Sequence, residues 1–174
     1  MKHTLLCLVI LIFTSNLMGQ SQAAAENKAT KVANTGESVI ETRIAGKIIR
    51  VIVSTYSVDV GGPDQTPPPV GERMTNCTYS RFPCNQVSNM RISIAGKKLF
   101  VPRSVFADRA DAGSMSLTSI SGLNVLTIVG GDAAEGYFLK VYFDAERVKK
   151  RELYDAESNS LLQTTTYLHP PILD

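Results

Sequence analysis

Imidazole is almost absent from this chain: of its 174 residues, only His3 and His169 carry it. His3 lies in a segment expected to be removed, and His169 sits near the C-terminus before Pro170-Pro171. Ser-His-Asp and Cys-His mechanisms need an imidazole held by a rigid scaffold. Zinc hydrolases place two or three in one pocket. Both classes are excluded on this ground. Nucleotide chemistry goes too, since there is no Gly-x4-Gly-Lys-[Ser/Thr] loop and no Gly-x-Gly-x-x-Gly opening a helix; nor is there a Gly-x-Ser-x-Gly elbow. No cofactor is expected. Charge of one sign is equally scarce, with 18 Lys and Arg against 16 Asp and Glu. That balance leaves no electrostatic footprint for nucleic acid.

Long apolar runs are missing as well. The unbroken stretch Leu5–Phe13 is about half of the ~20 residues that span a bilayer as a helix. It follows a short basic start (Met1, Lys2, His3) and precedes small residues offering cleavage after Ala23 or after Ala25. This is the three-part pattern of a secretory signal peptide, assigned to residues 1–25. The short, weakly charged start is of bacterial type and points to a periplasmic or secreted product with no permanent membrane span. Cys7 lies inside the apolar run rather than after it, so lipoprotein acylation is not expected.

Removal of Cys7 leaves Cys77 and Cys84. Their spacing, Cys-x6-Cys, is too wide for a redox Cys-x-x-Cys, and two thiolates without histidine make a poor zinc site. A structural disulfide is expected in an oxidising compartment. Closing so short a loop contributes about 2–3 kcal/mol by loop-closure entropy.

The mature chain, about 150 residues, is long enough for one domain with a sizeable core. Residues 26–36 are polar and small, without periodicity, and read as a flexible leader. A single β domain is expected over 37–169, with a tail at 170–174. Short runs rich in Ile, Val, Thr, Tyr and Phe, separated by Gly, Asp, Asn and Pro, are the mark of consecutive strands. They pair as Ser38–Ile44 with Lys47–Ser57, Ser114–Ile120 with Asn124–Val129, and Tyr137–Phe143 with Arg147–Tyr154, followed by Leu161–Leu168. The turn Ala45-Gly46 recurs as Ala95-Gly96, one device used twice. A helical turn is expected after Pro102. The fold class is therefore all-β, mainly antiparallel: seven to nine strands as a curled sheet, sandwich or barrel. In Arg147-Val148-Lys149-Lys150-Arg151, alternation puts Arg147, Lys149 and Arg151 on one face, read as a solvated edge that resists aggregation. Asp108-Arg109-Ala110-Asp111 reads as a solvated turn with local ion pairs.

The segment 59–89 breaks this rhythm, with Gly61-Gly62-Pro63, Pro67-Pro68-Pro69 and the cysteine ring. Loops this long in a compact domain tend to carry function. Inside the ring lie Tyr79, Arg81 and Phe82, side-chain types that dominate protein interfaces. The expectation is a non-enzymatic binding protein, of immunity or enzyme-inhibitor type, that meets another envelope or secreted protein through this loop. Two alternatives stay open. Asp132 and Glu135, in a Gly-flanked acidic cluster, could act as a carboxylate pair on envelope glycan; the same two would make a weak calcium site, well short of six to eight oxygen ligands. The other alternative is a module holding a small apolar ligand or peptide within the sheet.

Overall fold

The computed structural model describes residues 29–58, 77, 83–132 and 135–168. The signal segment, His169 and residues 170–174 lie outside the described residues. Among the described residues, ten strands run in order as β1 (Thr30–Lys31), β2 (Gly36–Ile44), β3 (Lys47–Val58), β4 (Cys84–Ile94), β5 (Lys97–Leu99), β6 (Ala112–Ile120), β7 (Leu123–Gly130), β8 (Tyr137–Phe143), β9 (Val148–Asp155) and β10 (Leu161–Thr166). One 3₁₀ turn, Arg103–Val105, follows Pro102 between β5 and β6.

Every pairing is antiparallel. The strands form two open sheets, β1-β6-β7-β8-β9-β10 and β2-β3-β4-β5, so the architecture is sandwich-like and not a closed barrel. Tight hairpins come from one turn geometry used three times. Ala45-Gly46, Ala95-Gly96 and Ser121-Gly122 all take positive φ at both positions, 48° to 49° and then 77° to 81°. Two residues of that hand match the right-handed twist of the flanking strands.

The core lies between the sheets. Ile49, Val51, Val53, Met90 and Ile92 on one side share it with Met115, Leu126, Ile128, Leu139, Val141 and Phe143 on the other, all at most 2% exposed. Alternation makes this possible: along Tyr137–Phe143, odd positions are buried and even positions only partly so. Val105 and Phe106 enter the same core from the inter-sheet connection.

Three expectations need correction. The described part of the leader is not a free segment: Thr30 and Lys31 pair with Met115 and Ser114 in β6, and Val32 is 1% exposed. A two-residue strand is too short to show periodicity. The presumed loop 59–89 ends earlier than expected, because β4 starts at Cys84. Its polar residues hid the strand, yet Gln86 accepts from the Tyr56 hydroxyl at 2.8 Å and Asn85 from Ser57 at 3.1 Å. The basic run is also no solvated edge. β9 lies inside its sheet between β8 and β10, and a bulge at Tyr142/Phe143 breaks the alternation. Arg151 is turned inward at 3% exposure.

Candidate functional site

Cys77 and Cys84 form a disulfide, with Cα atoms 5.6 Å apart. Cys84 is fully buried at the start of β4. The ring residues Tyr79, Arg81 and Phe82 lie outside the described residues. Next to the disulfide, Asn85 exchanges hydrogen bonds with Asp111. Its N–H donates to Asp111 Oδ1 at 3.0 Å, and its carbonyl accepts the Asp111 N–H at 2.6 Å. Asp111 is 1% exposed and holds φ at 51°, a conformation open to a short polar side chain.

From Asp111 the hydrogen bonding continues outward. The Asp111 carbonyl accepts the Gly131 N–H at 3.1 Å, and the Gly136 carbonyl accepts the Ala156 N–H at 3.0 Å. Disulfide foot, β7–β8 hairpin and β9–β10 turn are thereby joined at one end of the sandwich. Gly130 and Gly131 are required there. A Cβ on Gly130 would strike the Tyr137 phenol, which donates to the Ala110 carbonyl at 2.8 Å; one on Gly131 would strike the Glu135 carbonyl. An open depression of about 470 Å³ lies at this end, lined by Gly131, Asp132, Gly136, Ala156 and Glu157 among others.

Both Asp132 and Glu135 are exposed at the hairpin, where the Glu135 N–H donates to the Asp132 carbonyl at 2.9 Å. Among the described residues, no group of three His, Cys, Asp or Glu side chains is placed to hold a metal ion. Sequence reasoning treated the disulfide segment and the acidic hairpin as separate features; the fold brings them to one rim.

A second cluster had no sequence forecast. On the outer face of the six-stranded sheet, Glu152 is 8% exposed. Its Oε2 accepts the hydroxyls of Tyr142 and Tyr154, each at 2.8 Å, and its Oε1 takes Lys150 Nζ at 2.5 Å. Lys150 lies 4.3 Å from the Tyr142 ring centroid and Lys140 lies 4.7 Å from that of Tyr154. Burial alone would push the Glu152 carboxyl up, but hydrogen bonds from Lys150 and the two phenols hold it below its ordinary value. Burial and then the bond to Glu152 raise Tyr142; for Tyr154 the bond to Glu152 is the larger cause.

The inner face of β9 carries a different arrangement. Arg151 Nη1 and Nη2 each lie 2.6 Å from an oxygen of Asp108, and the guanidinium also reaches the Val105 carbonyl (3.2 Å) and Gln163 (2.9 Å). Arg109 pairs with Asp108 at 3.1 Å and lies 5.2 Å from the Tyr137 ring centroid. Burial raises the Asp108 carboxyl, and the two guanidiniums overcome it, holding the pKa at about 2. The local ion pair expected in Asp108–Asp111 is there, between Arg109 and a half-exposed Asp108, but the stretch is only partly solvated, with Ala110 and Asp111 each 1% exposed. No protein family, curated protein or solved structure matches this chain. Among the described residues, no helix is long and apolar enough to cross a membrane.

Proposed function

We propose that this chain is an exported, non-enzymatic protein that binds another envelope or secreted protein through the disulfide-bearing end of the sandwich. The observation that supports the reading is the set of hydrogen bonds that ties Asn85 to Asp111, Asp111 to Gly131, and Gly136 to Ala156 at that end. A rim fixed in advance loses little conformational entropy on docking. Loops at the ends of β-sandwiches are where rigid scaffolds carry recognition. The disulfide is compatible with an oxidising compartment, as a periplasmic or secreted address requires.

Side chains from both sheets occupy the core, which favours a surface site over an apolar ligand enclosed within it. The exposed setting of Asp132 and Glu135 on a hairpin favours contact with a partner surface over enclosure of a glycan in a cleft. The test is capture from envelope extract with the mature protein and with Arg81→Ala/Phe82→Ala and Asp132→Asn variants. Recovery of a discrete partner should fall at least tenfold in the double variant and less in Asp132→Asn. Undiminished recovery by the double variant, or glycan hydrolysis that Asp132→Asn abolishes, would overturn the proposal.

A further inference from the structure

The outer face of the four-stranded sheet gathers positive charge. Alternation along β2, β3 and β4 sends one set of side chains into the core and the other outward. Register orders the outward set: Arg43 stands opposite Ile48, and Glu41, Arg50, Ser93 and Lys98 lie in line across the sheet. Lys47 and Lys97 open β3 and β5 directly after the two tight turns. Those turns sit at one end of the sheet, where the Ala95 N–H donates to the Ile48 carbonyl at 2.8 Å.

Strands β2 to β5 carry six cations, Arg43, Lys47, Arg50, Arg91, Lys97 and Lys98, against two carboxylates, Glu37 and Glu41. Arg91 already pairs with Glu37. Among the described residues, Lys47, Arg50, Lys97 and Lys98 make no ion pair. The whole chain is nearly neutral, with 18 Lys and Arg against 16 Asp and Glu, so the fold rather than the composition concentrates this charge. Apolar side chains stand among the cations. Ile48 is 41% exposed, and Phe100, two residues past Lys98, is 78% exposed. The outer face of the other sheet differs, since Glu152 there takes up Lys150.

We propose that the turn end of this face docks on an anionic lipid surface, its cations over the headgroups and Ile48 and Phe100 at the acyl boundary. Charge complementarity selects an anionic occupant. The apolar residues select a bilayer among anionic occupants. A soluble polyanion would answer the cations and leave Phe100 in water, whereas a bilayer places an apolar layer directly beneath its charged one. Long lysine stems around two turns also suit a fluid array of headgroups, which needs no fixed ligand geometry. The disulfide lies at the other end of β3 and β4, where Val58 stands opposite Cys84. A molecule seated on its turns therefore holds that end away from the bilayer. The inference rests on the basic face alone, and its failure leaves the reading of the disulfide-bearing end standing.

The experiment is cosedimentation of the mature protein with vesicles of phosphatidylcholine alone and of equimolar phosphatidylcholine and phosphatidylglycerol. Lys98→Glu and Phe100→Ser test the face. Lys31→Glu, on β1 of the other sheet, makes the same change in net charge elsewhere. Circular dichroism checks that each folds. Wild type should bind the anionic vesicles at least about tenfold more tightly than the neutral ones, and added salt should weaken the binding. Affinity should fall about tenfold in Lys98→Glu, about fivefold in Phe100→Ser and less than about twofold in Lys31→Glu. The chain has no Trp, so Phe100→Trp supplies a single indole, whose emission should move to the blue on anionic vesicles and not on heparin. Equal binding to both vesicle types overturns the proposal. So does Lys31→Glu weakening binding as much as Lys98→Glu, which would make net charge the cause. An indole that anionic vesicles leave unshifted overturns it as well, and assigns the face to soluble polyanions if heparin still binds.

Discussion

Arg151 and Glu152 are neighbours on β9, opposite in charge and both buried, yet they serve opposite faces of one sheet. Arg151 turns into the interior and clamps Asp108, tying the inter-sheet connection to the six-stranded sheet. Glu152 turns outward and gathers two phenols and an ammonium from its own and the adjacent strand. The difference lies in what surrounds each charge. Arg151 is enclosed between layers, so loss of Asp108 takes the main partner from a buried guanidinium, while Asp108 itself stays half-exposed. The groups around Glu152 stand at a surface and can turn to solvent. One residue step along a strand, which reverses the side chain, separates a packing clamp from a surface network.

The largest expected effect tests the inner half of that contrast. Arg151→Ala removes a buried side chain together with its hydrogen bonds to Asp108, Gln163 and the Val105 carbonyl, and should cost about 2–4 kcal/mol in denaturant unfolding, mostly through lost packing and an orphaned carbonyl. A loss below about 1 kcal/mol would place Arg151 with surface ion pairs. Glu152→Ala should cost less, about 1–2 kcal/mol, since the freed hydroxyls and ammonium gain water in exchange. If the two substitutions proved equal, the distinction between enclosed and surface networks would fail.

The smallest effect is an acid limb. Asp108 sits at about 2 in the fold against an ordinary 3.8. A depressed carboxylate contributes stability that is present above its unfolded value and lost as pH falls through the folded one. The contribution should therefore fade between about pH 4 and pH 2. Its carboxylate side chain is 44% exposed, so solvent screening limits the contribution to under about 1 kcal/mol. Melting temperature measured against pH should flatten over that window in Asp108→Asn. An unchanged slope would assign the limb to other carboxylates, such as Asp144, held at about 2 by Lys149 and by the backbone N–H groups of Arg147 and Glu146 against the opposing effect of burial.

Much of the fold is legible in the sequence because hairpins are local. Ala45-Gly46 and Ala95-Gly96 announce their turns, and the alternation from Tyr137 to Phe143 declares a half-buried strand. Bulges are not legible, and one of them decides which way Arg151 points. The spacing of Cys77 and Cys84 is a local signal and forecasts the bond between them. Their meeting with the acidic hairpin is not local, since it runs through Asp111, 26 residues from Asn85 and held in a left-handed conformation no motif announces. Glu152 escaped notice because its acceptor role depends on cross-strand register, and a carboxylate among lysines reads as ordinary surface until that register is known.

The shortest strand has a consequence for the order of events. Thr30 and Lys31 find their partners in Ser114 and Met115, and Val32 reaches the core beside them. Synthesis from the N-terminus delivers these residues early, while their seats exist only once β6 has followed. Contacts so distant along the chain are slow to close. β1 therefore stays without its partner until the chain has run on through Ala112–Ile120, and the earliest strand of the fold is held by contacts that no local hairpin supplies.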